Sequence, residues 1–338
     1  MQPRILVTGG AGFIGAVLVP ELVKAGLEVT VFDTFYFGKH PLNSVSGKVK
    51  LITGDIREFP DGTLKNVDVV IHLAALSNDP LANFNPAANW KINTEATINL
   101  AQKAKQGGVK QFIFASSCSI YDLGLENAQG MRTEKSTVAP TAAYSQSKLA
   151  AEQAILPLSD KNFCVTVLRK GTVYGYSPRM RFDLVVNTMI KTALAEGKIY
   201  LFCAGRQWRP LISVQDVATV YLKLLMISKE KISGQVFNIA QENYLIKDVA
   251  HIVKNTLSQR LTHEITLIVD EGNHKDRSYR VSVKKAQEVL KFKPKKEMSV
   301  SVGSMFNIIQ KLQLTDYENP RYYNIEWMER FLTQPTQK

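Results

Sequence analysis

Apolar residues recur through the first half of the chain in two alternating rhythms. Short apolar runs at Arg4–Thr8, Glu28–Phe32, Val49–Thr53, Val67–His72, Gln111–Ala115 and Cys164–Arg169 have the length of buried strands. Between them, Val17–Ala25 and Thr94–Lys105 place apolar residues three and four positions apart, the spacing of an amphipathic helix. Strands that alternate with helices predict an α/β fold, a doubly wound parallel sheet of the Rossmann type with helices on both faces.

The rhythm changes after Ser177. A helix near Asp183–Glu196, a strand Lys198–Cys203, a helix Val214–Met226, a strand Val236–Ala240 and helices near Lys247–Leu257 and Ser299–Leu312 predict a smaller mixed α/β lobe. We expect residues 1–176 to form the sheet domain, with 211–240 rejoining it. Residues 177–210 and 241–338 would form the second lobe and the tail, with ligands held in the crevice between. The segment Tyr317–Phe331, rich in Asn, Tyr and Arg, is weakly periodic, and no role is assigned to it.

Composition narrows the class. The chain has 338 residues, 45% hydrophobic and 21% charged, and no apolar run approaches the ~18 residues of a membrane helix. A soluble protein with no membrane contact is expected. The first strand begins at Arg4, which leaves no room ahead of it for a secretion signal and predicts a cytoplasmic location. Cys118, Cys164 and Cys203 lack zinc-site spacing and are too few for a disulfide framework, so reduced thiols and no metal are expected. The net charge of +12 suits anionic partners. Its densest stretch, Lys284 to Lys296, has interleaved apolar residues but no aromatic platform, and reads as a solvated face; nucleic acid is not an expected partner.

Specific chemistry begins where the first strand runs into Thr8-Gly9-Gly10-Ala11-Gly12-Phe13-Ile14-Gly15. Glycines at 9, 12 and 15 permit a tight turn, close approach of a pyrophosphate and close packing of the following helix, whose N-terminus favours negative charge. Asp33 ends the second strand 18 residues beyond Gly15, near the ~20 expected for an acid that accepts bonds from a ribose. A carboxylate there repels a 2′-phosphate, which predicts NAD rather than NADP. Asp55 and Ile56, after the third strand, are candidates for contact with the adenine.

Further segments extend the pattern: His72-Leu73-Ala74-Ala75, Asn93-Thr94, Phe114-Ala115-Ser116-Ser117, Tyr144-Ser145-Gln146-Ser147-Lys148, Leu168-Arg169 to Thr172-Val173-Tyr174-Gly175, and Trp208-Arg209-Pro210 to Asp216-Val217. With these in order from Ile5 to about Ala286, the chain resembles the extended short-chain dehydrogenase/reductase family, whose NAD-dependent nucleotide-sugar epimerases and dehydratases include UDP-galactose 4-epimerase. The resemblance implies a cofactor site of Gly9, Gly12, Phe13, Ile14, Gly15, Asp33, Asp55, Ile56, Leu73, Ala74, Ala75, Asn93, Ser116, Tyr144 and Lys148. It implies catalysis by Ser117, Tyr144 and Lys148, and a homodimer.

Physical chemistry supports the pair. Tyr144 and Lys148, four residues apart, share one helix face. A tyrosine of pKa ~10 is a poor base at neutral pH, but a nearby ammonium and a positively charged nicotinamide both favour the phenolate. Tyr144 would take the proton of a sugar hydroxyl while the hydride passes to the nicotinamide; Ser117 would orient the same oxygen, and Lys148 would hold the nicotinamide ribose. A non-catalytic dinucleotide sensor commonly lacks the Tyr or the Lys, and both are present. His72 reads as a strand-end residue lining the cofactor, and Cys118 as structural.

The resemblance also places a nucleotide-diphosphate sugar against Ser117, Thr172, Asn187, Arg209 and Arg277, arginine being suited to phosphate by its bidentate fork. Dehydratases that eliminate water across C4–C6 carry an Asp-Glu pair after the Ser/Thr, where this chain has Cys118-Ser119. A C4 epimerase is preferred; a dehydrogenase, a ketosugar reductase and a decarboxylase remain. Thr172, where an Asn is frequent, Tyr176 in place of a Pro, and the cation Lys170 leave the sugar open. So do Arg179, Arg181 and Ser77-Asn78-Asp79-Pro80, whose roles the sequence does not assign.

Overall fold

In the computed structural model, which describes residues 2–122, 130–272, 277–295 and 297–332, the six strand-like runs of the first half all form strands. They are β1 (Arg4–Thr8), β2 (Glu28–Asp33), β3 (Lys50–Thr53), β4 (Val69–His72), β5 (Gln111–Ser117) and, beyond the two-residue β6 (Met131–Arg132), β7 (Cys164–Lys170). A seventh partner arrives from far along the chain. Past β8 (Thr172–Tyr174), β9 (Lys198–Leu201) and β10 (Trp208–Ser213), β11 (Gln235–Ile239) pairs with β7. The sheet is parallel throughout in the order β11-β7-β5-β4-β1-β2-β3. The chain winds outward from β1 to one side and from β4 to the other, so a crevice opens at the carboxyl ends of these two strands.

Alternation along each strand feeds two cores. Ile5, Val7, Val31, Ile71 and Ile113 face α1 (Gly15–Lys24) and a helix of the second half, α7, introduced below. Leu6, Phe32, Val70, Phe112 and Phe114 face the other side. There the chain passes α2 (Asp79–Phe84) and α3 (Pro86–Trp90) into α4 (Ala96–Gln106) and later α5 (Ala143–Ile155). The predicted crossover helix begins earlier than expected, through a π-turn at Lys91–Glu95, because the polar groups of Asn93 and Thr94 are drawn inward to bonds with the neighbouring loop and α5.

The second half supplies α6 (Val185–Glu196), α7 (Val214–Met226) and α8 (Ile246–Ser258). A three-stranded sheet follows the order β12 (Glu242–Leu245), β10, β8, while β13 (Thr266–Val269) pairs with β9 and β14 (Arg280–Val281) with β6. Beyond α9 (Lys284–Val289), which opens the basic stretch whose Lys296 lies outside the described residues, α10 (Met298–Lys311) packs with α6 and α8 around a separate core that includes Val186, Ile190, Val253 and Met305. The strand expected over Lys198–Cys203 stops at Leu201, since Cys203 and Ala204 turn to φ of 50° and 49°.

Among the elements the sequence did not predict, one bears on the site. Within the weakly periodic tail, α11 (Asn324–Leu332) folds back onto the first half, burying Met328 to 3% exposure in the core of Phe32 and Leu76. No helix among the described residues is long and apolar enough to cross a membrane. The three cysteines are buried and none is in a disulfide, and no metal-holding cluster of His, Cys, Asp or Glu occurs among the described residues.

Candidate active site

A cavity of about 450 Å³ lies over the carboxyl ends of β1 and β4, within the range typical of ligand sites. The glycine turn forms its floor. Gly9 has φ +71°, and a Cβ there would stand 2.6 Å from the amide nitrogen of Ala74, so any side chain would push the β4 loop away. At Gly15 a Cβ would meet the carbonyl oxygen of Gly10 at 2.5 Å, lifting α1 off the turn. Helix α1 follows Ile14, which supplies no side-chain cap, and Phe13, Ile14 and Gly15 at its start line the cavity, so the positive end of the helix faces the space an anion would fill.

Asp33 closes this floor from β2. Its Oδ2 accepts from the Ala11 amide at 2.9 Å and its Oδ1 from the Phe35 amide at 2.8 Å, while burial raises its pKa above the ordinary value. Asp55 and Ile56 line the same rim. Burial works against ionisation of Asp55, but Arg57, bonded through Nη2 at 2.6 Å and Nε at 3.0 Å, outweighs it and lowers the pKa. An open turn, uncapped amides and a carboxylate at the second strand's end fit the diphosphate and ribose of a dinucleotide.

The opposite wall carries acid–base groups. Tyr144 stands in the first turn of α5 and Lys148 one turn on; both line the cavity with Ser117 from the end of β5. The Ser117 side chain works to lower the pKa of the Tyr144 phenol. Ser117 Oγ accepts from the Ser119 amide at 3.1 Å, and Ser145 Oγ donates to Ser119 Oγ at 2.8 Å, so the loop after β5 is tied to α5. Lys148 is 2% exposed, its Nζ 4.8 Å from the centre of the Phe114 ring. One turn further, Glu152 takes Arg169 Nη2 at 2.6 Å and Nε at 2.9 Å, and also the Ser116 hydroxyl.

Burial sets the electrostatics here. It pushes Tyr144 up to about 12, helped by Asp79, while Arg181, the Ser117 side chain and Arg277 pull the other way. It pushes Lys148 down to about 7 against the attraction of Glu152. The expected lowering of the phenol by Lys148 is not found in the protein alone: burial dominates, the cations that oppose it are Arg181 and Arg277, and activation of Tyr144 needs charge brought by a ligand. Lys170, directly opposite Ser117 in register, donates from Nζ to the Ser116 carbonyl at 2.9 Å; burial, then the charge of Lys148, lowers it to about 7.

A glycine turn, a β2 carboxylate and a Ser–Tyr–Lys wall in one cavity are joined by a match in sequence. The model of the NAD dependent epimerase/dehydratase family fits residues 5–240. The chain belongs to this family. NAD is accordingly its cofactor. It is 29% identical over 277 residues to UDP-N-acetyl-alpha-D-glucosaminuronate decarboxylase of Bacillus cytotoxicus, covering 80% of this chain and 83% of that one. Among solved structures, MoeE5 in complex with UDP-glucose and NAD superposes with a TM-score of 0.78 at 27% identity, covering 92% of this chain and 99% of that chain. UDP-glucuronic acid 4-epimerase from Bacillus cereus, in complex with UDP-glucuronic acid and NAD, gives 0.80 at 25% identity, covering 91% and 99%.

For a member of the epimerase/dehydratase family, the remaining candidates divide sharply. Phe13, Gly12, Leu73, Ala74, Ala75, Ser116, Thr172, Arg209 and Arg277 all reach the cavity. Arg277 is held there by ion pairs to Asp79 and, at 3.4 Å, to Asp122. Arg209 lies over the Tyr279 ring at 5.7 Å and, with Asp183, also lines a second cavity of about 440 Å³ between α6, β9 and β10.

Three expected contacts do not reach the cavity lining. Asn93 is buried behind it: its Oδ1 accepts from the Leu76 amide and its Nδ2 donates to the Leu76 carbonyl, both at 2.9 Å, so its amide positions the loop after β4. Asn187, fully buried, accepts from the Gly175 amide at 2.9 Å and donates to the Arg181 carbonyl at 2.8 Å, fixing the loop before α6. His72 joins Thr8 at 2.6 Å and Thr97 at 2.9 Å, and burial followed by the charge of Lys148 lowers it to about 3, which makes it a neutral strut between β1 and α4. Conversely, Glu152 had a readable signal in its i,i+4 spacing from Lys148, whereas Asn324 and Met328, which line the cavity from α11, had none.

Proposed function

We propose that the protein is an NAD-dependent epimerase of a nucleotide-diphosphate sugar, acting by transient oxidation of the C4 hydroxyl. The observation that carries this reading is the convergence of Ser117, Tyr144 and Lys148 on the wall of one cavity that also holds the glycine turn, Arg209 and Arg277. NAD, when bound, accepts the carbinol hydride and returns it. Tyr144 takes the hydroxyl proton and gives it back, Ser117 holds the same oxygen, and Lys148, beneath them, supplies positive charge that favours the phenolate. The protein's burial of Tyr144 makes this base silent until ligands complete the site.

Two observations favour epimerisation over 4,6-elimination. Cys118 Sγ donates to the Arg169 carbonyl at 3.0 Å with its pKa raised by burial, and Ser119 is engaged by Ser145, so positions 118 and 119, where the dehydratases carry Asp-Glu, offer neither extra acid nor base. We assign residues 1–176 and 211–240 to the NAD-binding domain, and 177–210 and 241–338 to the substrate-binding lobe and C-terminal tail, with the nucleotide end of the substrate in the second cavity through Arg209. The test is incubation with UDP-, GDP-, CDP- and dTDP-sugars and product identification by NMR. A C4 epimer formed without net NADH is expected; a stable ketosugar, released carbon dioxide or stoichiometric NADH overturns the proposal.

A further inference from the structure

Two arginines on the loop between Gly175 and α6 differ in one respect. Arg181 is neutralised, its Nε and Nη2 donating to the two oxygens of Asp183 at 2.8 and 2.7 Å. Arg179 is 4% exposed and has no carboxylate within ion-pair distance among the described residues. Its Nη2 donates to Asn324 Oδ1 at 2.5 Å, its Nη1 to the Met180 carbonyl at 3.3 Å, and its guanidinium carbon lies 3.6 Å from the centre of the Phe37 ring. A buried cation without a directly bonded carboxylate is costly, and burial, then Arg181, lowers this one to about 9 against the weaker pull of Asp183, which Arg181 already engages.

Its surroundings identify the anion that it would bind. Arg179, Phe37, Phe13, Ser77 and Asn324 all line the main cavity. Ser177, two residues before Arg179, donates from Oγ to the Phe13 carbonyl at 2.8 Å, which pins this loop onto the glycine turn. Asn324 Nδ2 donates to both the carbonyl and hydroxyl oxygens of Ser77 at 3.1 Å, pinning α11 to the loop after β4. Trp327 Nε1 donates to the Tyr36 carbonyl at 2.6 Å, and its ring stacks on Phe37 at 6.4 Å, pinning α11 to the loop after β2. The cation is thus held above the glycine turn, between the two loops that flank the dinucleotide half of the cavity. The carboxylate of Asp33 disfavours a phosphate on the ribose, which leaves the pyrophosphate.

We propose that Arg179 is a dinucleotide-binding residue, pairing with the pyrophosphate of NAD from outside the sheet, and that α11 holds it in place through Asn324. Cofactor binding and the docking of α11 are then one coupled equilibrium: each stabilises the other by the same factor. This rests on NAD being the cofactor and is independent of which sugar is turned over.

Calorimetry of the full-length protein with NAD, ADP-ribose and adenosine, with no sugar present, tests the first half. Arg179→Met should weaken NAD and ADP-ribose at least about tenfold, the loss expected for one charge-assisted contact, and leave adenosine unchanged. Asn324→Ala should weaken both dinucleotide-type ligands in the same direction by a smaller factor. Hydrogen exchange on the unaltered protein tests the second half and needs no variant: NAD should slow exchange across Asn324–Leu332, and adenosine should not. NAD affinity unchanged in a folded Arg179→Met protein, or weakened binding confined to UDP-sugars, overturns the assignment. Exchange in α11 indifferent to NAD overturns the coupling.

Discussion

Tyr144 and Lys170 carry the residue-scale expectations. Tyr144→Phe removes the proton acceptor and leaves the cavity's shape almost intact, so NAD affinity by calorimetry should stay within about twofold while sugar turnover falls by at least ~10²-fold, the usual worth of a positioned acid–base group. Lys170 is buried beside Lys148 with its folded pKa lowered to about 7. An unfolded lysine keeps its proton to ~10.4. Between these values the unfolded chain binds more protons, so this group adds stability as pH rises through the window and removes it as pH falls toward neutrality. The urea midpoint of the unaltered protein should therefore rise relative to that of Lys170→Met between pH ~7 and ~9; a constant difference would show that Lys170 titrates normally.

Elements explain why some side chains were legible in sequence and others were not. Gly9, Gly15 and Asp33 announce themselves because their constraints are local: a turn, a helix packed on it and a strand end lie within 33 residues. Tyr144 and Lys148 are legible through helical spacing, and Ser117 through its place at a strand end. Asn93 and Asn187 follow the same motifs yet serve the backbone behind the cavity, a distinction set by which way a buried amide finds partners. Asn93→Ala would strand the Leu76 amide and carbonyl, and should cost about 2–4 kcal/mol in urea unfolding at pH 7. The same variant should lose less than about tenfold in NAD affinity, because Asn93 acts through the loop it holds. Helix α11 was invisible for a different reason: its apolar side chains meet a surface made by residues some three hundred positions earlier, and local periodicity carries no record of that surface.

At the scale of the molecule, alternation of strand and helix was enough to foresee a parallel sheet, because βαβ units repeat a simple pattern. Strand order was not legible at the same level, since β11 joins β7 only through tertiary packing against α7 and α9. The second lobe follows no comparable repeat. Its short strands β8, β10 and β12 depend on mutual pairing more than on intrinsic pattern, and they frame the wall through which Arg209 reaches both cavities.

That late edge strand has a consequence for how the chain is made. Cys164–Lys170 is buried along its whole length in the finished sheet, yet its outer partner ends only at Ile239, 69 residues after Lys170. At a synthesis rate of ~5–20 residues per second, β7 spends roughly 3–14 s with one row of amides and carbonyls unsatisfied. Such an edge is a template for pairing with other chains. The nascent polypeptide should need shielding in this interval, and chaperone supply, more than native stability, should govern the yield of folded enzyme.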